Sequence, residues 1–231
     1  MKHVRSIALV SAGAAVTLAL VSPSASAATT TVHAGDAAGV AYAGNVRATL
    51  TSPLVSTTAL GSATCDTGTV DATVQSDGSA LDVSVWDFHN GSTTTCPSSV
   101  GGEANVGAVG LPWNGGSIAY APAAGGRDGT FTVNNFKGNG GATGWFGTIN
   151  CTYRGTGPGN SITLDFYNPD NPNRPETALA QAQLKANNVR LTKDSGSFLC
   201  PGTVTYNGNF QVVGETTAGS GSYDQTLYLT S

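Results

Sequence analysis

Nucleophilic catalysis by a serine needs a base beside it, and downstream of the N-terminal apolar run only His33 and His89 can supply one. No Gly-x-Ser-x-Gly elbow is present, which argues against a serine hydrolase of the α/β type. Asp87 and His89 stand two residues apart in an extended segment, so they share one side of a strand and pair as two metal ligands or as a base with its orienter. No third ligand accompanies them, and the pair reads as a polar strand end, with no metal or cofactor assigned. Asp87, Glu103, Asp165 and Asp224 are the carboxylates from which a glycosidase would draw its acid and its nucleophile or base. The run Asn168-Pro169-Asp170-Asn171-Pro172-Asn173-Arg174-Pro175-Glu176 collects oxygen donors without the spacing of a calcium loop, and reads as a stiff surface turn.

Aromatic chemistry is offered by Trp145 and Phe146, which follow the glycine-rich run Gly138–Gly144. Read as a flexible loop, that run would present one of the two rings outward, where it stacks on a sugar or enters an interface. They are the candidate ligand contacts. Trp86 and Trp113 read as core residues.

The elements that would position these groups are strands. Val70, Ala72 and Val74 alternate with polar residues, Asp77-Gly78 follows, and Leu81, Val83 and Val85 resume the alternation, the pattern of an antiparallel hairpin. Further strands are expected over 40–50, 117–121, 130–136, 146–153, 161–167, 203–213 and 223–230, separated by Gly, Pro and Asn clusters. The segment 176–185 contains good helix formers after Pro175, but Ala180, Ala182 and Leu184 also alternate and strand is preferred.

Cys65, Cys96, Cys151 and Cys200 are even in number and include no Cys-x-x-Cys pair, which points to disulfides rather than a metal-thiolate site. A frame of Gly-x-x-x-Cys leading to Cys-Pro occurs twice, at Gly61–Cys65 with Cys96-Pro97 and at Gly147–Cys151 with Cys200-Pro201. The echo favours Cys65 with Cys96 and Cys151 with Cys200.

Lys2 and Arg5 precede an uncharged run rich in Ala, Val and Leu, which ends in Ala25-Ser26-Ala27. This is the form of a signal peptide over residues 1–27, shorter in its apolar part than a bilayer-crossing helix. Residues 28–231 are then one secreted, extracellular domain without a transmembrane segment. Removal of the leader leaves eight cations against 14 acids, a net charge of −6, which argues against nucleic acid as a partner. Only 10% of residues are charged and 31 are glycine, so Thr, Ser, Asn and Gly build the surface. Recurrent β-branched and aromatic residues distinguish the chain from a disordered one.

Together with the Leu111-Pro112-Trp113 turn, Gly147-Thr148-Ile149-Asn150-Cys151 and the closing Cys200-Pro201-Gly202-Thr203-Val204-Thr205-Tyr206-x-Gly208-x-Phe210, these features resemble the small exported two-disulfide proteins common in actinobacteria, a largely uncharacterised family. The resemblance implies export and a β-sandwich, and no activity. In class the chain is also similar to the neocarzinostatin-type apoproteins, two-disulfide β-sandwiches that bind an enediyne, but it is much longer and no ligand-pocket residue aligns. The expected fold is therefore an antiparallel β-sandwich of about nine to eleven strands, Greek-key and immunoglobulin-like, with two smaller sandwiches divided near Gly115-Gly116 as the alternative.

Scarce catalytic side chains favour a secreted non-enzymatic binding or structural module of the bacterial exterior, with cell-wall glycan or a secreted protein as its partner. The alternatives are a glycan hydrolase built on a carboxylate pair and a membrane-active or assembly-forming protein.

Overall fold

A computed structural model describes residues 29–144 and 147–231. The expected leader, 1–27, lies outside the described residues. The chain is all-β, with strands β1 (Thr31–Ala34), β2 (Gly44–Thr58), β3 (Gly61–Cys65), β4 (Thr67–Val74), β5 (Leu81–His89), β6 (Cys96–Pro97), β7 (Glu103–Ala108) and β8 (Trp113–Tyr120). They continue as β9 (Gly129–Val133), β10 (Lys137–Gly144), β11 (Gly147–Gly155), β12 (Ile162–Tyr167), β13 (Ala182–Gly196), β14 (Thr203–Glu215) and β15 (Tyr223–Thr230).

Several of these run on from one another, so that β3/β4, β5/β6, β7/β8, β9/β10 and β11/β12 each act as one long, kinked strand. Each then pairs antiparallel with its neighbour in sequence: β2 with β3 and β4, β4 with β5, β5 with β7 and β8, β8 with β9, β10 with β7 and β11, β12 with β9, and β13 with β11 and β12. The β13–β14 and β14–β2 ladders complete the circuit, from Ala182↔Val212 to Thr192↔Thr203 and from Val204↔Thr58 to Gly214↔Val46.

The result is an eight-stranded up-and-down barrel rather than the expected Greek-key, immunoglobulin-like sandwich. In a sandwich, two sheets face each other and keep free edges. Here the long β2–β14 ladder joins what would have been those edges.

The hairpin at Asp77-Gly78 forms with Thr73↔Asp82 and Ala72↔Val83 paired, but a bulge before Asp71↔Val85 breaks the alternation and leaves Val85 exposed while Leu81 and Val83 are buried. At 176–185 the chain turns first and becomes strand at Ala182. The Gly138–Gly144 run, read from sequence as a flexible loop, is instead a wall strand, β10, paired on both sides.

Both expected disulfides are present, Cys65–Cys96 and Cys151–Cys200. The first clamps β3 to β6, a seam otherwise held by the isolated bridge Ala63↔Ser98 and a hydrogen bond from the Ser62 N–H to Ser99 Oγ. The second ties β11 to the turn entering β14.

A layer of aromatic rings crosses the barrel at its waist, where β5 leaves β8 (Val83↔Trp113) and joins β7 (Phe88↔Val106). Trp86, Phe88, Trp113 and Phe136 pack here at centroid separations of 4.6 to 5.5 Å, and Phe210 meets Phe88 edge-on at 6.1 Å. Trp113 and Phe88 are buried, as is Phe136, and the Trp113 Nε1–H donates to Val109 O. Gly68 makes room for this layer: a Cβ there would stand 2.3 Å from Phe88 Cδ1 and 2.8 Å from Leu50 Cδ1.

Candidate binding site

On either side of the waist the inward-facing positions, every second residue of each strand, are filled differently. On one side they are Val70, Ala72 and Val74 of β4, Leu81 and Val83 of β5, Ile118 of β8, Phe131 of β9, Leu164 and Phe166 of β12 and Leu184 of β13, all buried. Its opening is stopped by the β1–β15 ribbon, paired from Thr31↔Thr230 to Ala34↔Leu227. Val32, Leu227 and Leu229 of the ribbon are fully buried. The ribbon reaches several walls: Asn168, beyond β12, holds Leu229 by two hydrogen bonds, the Val32 N–H donates to Ser76 O, and the Tyr120 N–H donates to Thr30 Oγ1.

A second clasp secures the turn that sends the chain from β14 into the cap. The Glu215 carboxylate, 5% exposed, accepts from the Gly219 and Gly221 N–H groups and from Asn45 Nδ2. These donors favour the ionised form and hold Glu215 below the usual carboxylate range.

On the other side of the waist the same alternation presents Ser56 of β2, Ala63 of β3, Ala104 and Val106 of β7, Gly140 and Ala142 of β10, and Ile149 and Cys151 of β11. Eight strands enclose a lumen that large side chains fill and small ones leave hollow. A cavity of about 90 Å³ remains, and its lining contains no charged side chain. Gly140 shows the slack directly, since a Cβ there would meet Tyr153 only at 3.5 Å, an ordinary contact.

Leu60 and Val100 line the cavity from the β2–β3 and β6–β7 turns, and Pro201 from the loop before β14. That loop also carries Phe198, 91% exposed, and Leu199, while Leu60 is itself exposed. The opening is thus fringed with apolar side chains.

The inner end of the cavity is made by Tyr153 and Tyr206. Running inward from the opening, β11 passes Ile149 and Cys151 before Tyr153, and β14 passes Val204 before Tyr206, with Phe210 of the waist four residues further on. The two rings are 4% and 6% exposed. Burial raises both phenols above their ordinary pKa, and neither hydroxyl has a hydrogen-bond partner among the described residues. Tyr42 and Tyr228 differ in having partners: they donate to Asn45 O and to Asp170 Oδ2, and beyond burial the latter bond raises Tyr228 further.

Among the described residues, the acids and histidines singled out in the sequence lie outside this cavity. Trp145 and Phe146 lie outside the described residues. Asp87 and His89 do come together, with Asp87 Oδ2 3.9 Å from His89 Nε2 and the Asp87 side chain largely exposed. No group of three or more His, Cys, Asp or Glu side chains placed to hold a metal ion occurs among the described residues.

The four carboxylates are spread over β5, β7, β12 and β15; besides the Asp87–His89 contact, Asp165 pairs with Arg127 at 3.0 Å and Glu103 accepts from Thr95 Oγ1. The oxygen-rich loop is tied both to itself and to its neighbours. Asn171 Nδ2 binds Asp128 Oδ2 and Gly126 O, and Arg174 reaches Asn171 O, Thr177 O and Leu179 O. His33 is fixed on β1 by Gly39 O and Thr230 Oγ1.

Tyr153, Tyr206, Gly140 and Ala142 were not singled out from the sequence. The available signal was the alternation in 147–153 and 203–210, which turns both tyrosines inward, combined with small residues at every second position of β10.

Among the described residues no helix is long and apolar enough to cross a membrane. Comparison with protein-family models, with curated proteins and with solved structures finds no match to this chain, so the cavity is interpreted from its own geometry.

Proposed function

We propose that this protein is a secreted, non-enzymatic binding protein that holds a small ligand in the hollow half of its barrel. The observation that carries the reading is the asymmetry of the lumen: one half is filled and capped, the other is lined with Gly, Ala and Ser and opens at an apolar fringe. Barrel mouths of this kind are recurrent ligand sites. Two disulfides brace the hollow half and suit an oxidising exterior, which supports the secreted location.

The apolar walls direct the reading away from the glycan that the Thr- and Asn-rich surface suggested. No acidic side chain lines the cavity, so a carboxylate-pair hydrolase has no support there.

The test is xenon binding by residues 28–231 with disulfides intact, followed by ¹²⁹Xe NMR, since apolar cavities accept xenon. A saturable site in the wild type, lost in Ala142→Leu with the melting temperature nearly unchanged, supports the reading. Identical xenon shifts in the two proteins would remove it.

A further inference from the structure

Resting on that reading, we infer that the ligand is a neutral, mainly apolar molecule that places one oxygen acceptor against the Tyr153 and Tyr206 hydroxyls and passes its apolar part out through the mouth. The inference starts from two phenols more than nine-tenths buried, both lining the cavity, whose hydroxyls have no hydrogen-bond partner among the described residues. A hydroxyl left open to a largely apolar cavity offers a donor that a ligand acceptor can take up. Their oxygens are not sealed by packing, unlike Thr51 Oγ1, which is enclosed without a partner. A ligand atom arriving from the cavity can reach them.

The chemistry of that atom follows from the surroundings. Both phenols stay protonated over the physiological range, because burial opposes their ionisation, so each offers an O–H donor. The complement to two donors is an oxygen with two lone pairs, such as a ketone or ester carbonyl. A carboxylate would enter with no cation in the cavity lining to pair with it. An ammonium would meet no carboxylate.

Size sets the shape. The cavity of about 90 Å³ is smaller than the roughly 150 Å³ apolar cavity that holds benzene. The enclosed part is therefore a short group with its oxygen inward, and any longer tail lies among Val204, Ile149 and Leu60 toward the opening.

The experiment is an NMR titration of the disulfide-intact protein with three six-carbon probes: 2-hexanone, hexane and hexanoate. We expect 2-hexanone to bind at least tenfold tighter than hexane and hexanoate not to bind. Tyr153→Phe and Tyr206→Phe, which remove only the oxygen, should each weaken 2-hexanone by about tenfold and leave hexane within twofold, the size of one hydrogen bond.

Hexane binding as tightly as 2-hexanone, or hexanoate binding best, would overturn the inference while leaving the binding reading intact. So would 2-hexanone affinity unchanged in both variants. Exclusion of all three probes and of xenon from the wild type would end both. The wild-type ranking decides the question even if a variant folds poorly.

Discussion

Below the aromatic waist the strands turn Ile118, Phe131, Leu164, Phe166 and Leu184 inward, and the opening is stopped by Leu227 and Leu229. Above it the same strand order turns Ala63, Ala104, Gly140 and Ala142 inward, and among the described residues no strand ribbon stops the opening. The stave order is common to both halves, so side-chain volume, together with the β1–β15 ribbon, makes one a core and the other a receptacle. The first half can fold on its buried apolar surface. The second buries less per residue, and both covalent cross-links lie there.

The largest effect expected is on those cross-links. Replacing Cys65 and Cys96 by Ala removes the clamp on a seam with one isolated bridge and the Ser62–Ser99 hydrogen bond, and loop entropy for a separation of 31 residues puts the loss at about 4 kcal/mol by urea denaturation. Protection from hydrogen exchange should fall first in β3, β6 and β7; uniform loss over all strands would mean that the halves do not open separately.

A similar cost, about 4 kcal/mol, is expected for Phe166→Ala in the filled half, because a buried ring leaves a cavity behind. In the hollow half the sign of the volume effect changes. Ala142→Leu should shift stability by less than about 1 kcal/mol, since its added carbons enter existing space. A cost above about 2 kcal/mol would show that half to be as tightly packed as the other.

The smallest effect is a pH dependence at the cap. Glu215 has a folded pKa below its unfolded one, so its contribution is fully present above the unfolded carboxylate range and is lost as pH falls through the folded value. Glu215→Gln should flatten the acid limb of the melting-temperature profile between about pH 5 and pH 3. An unchanged acid limb would place the responsible carboxylates elsewhere.

Much of this arrangement was legible in the residues. Alternation gave most of the strands, though not β1, β7 or β10, Asp77-Gly78 gave a hairpin, and the doubled Gly-x-x-x-Cys frame gave the disulfide pairing that forms. Closure of the sheet was not legible, because barrels and sandwiches share the same alternation and turn spacing. The pairing that separates them, such as Ala48 with Val212, joins residues far apart in the chain.

The receptacle was hidden for a different reason. A wall strand made of Gly138, Gly140, Gly141 and Ala142 has the composition of a linker, and only its two paired neighbours reveal it as structure. Trp145 and Phe146, the conspicuous side chains, lie outside the described residues, and the described walls of the cavity rest on side chains that are nearly absent.

The β2–β14 ladder has a consequence for how the molecule is made. Its two strands are the first and last staves of the barrel, so a growing chain that has not yet completed residues 203–215 carries β2 with one long edge unsatisfied. Such an edge is a template for joining another chain. The interval between synthesis of β2 and arrival of β14 is thus the period in which this barrel is most open to misassembly, and it spans most of the chain.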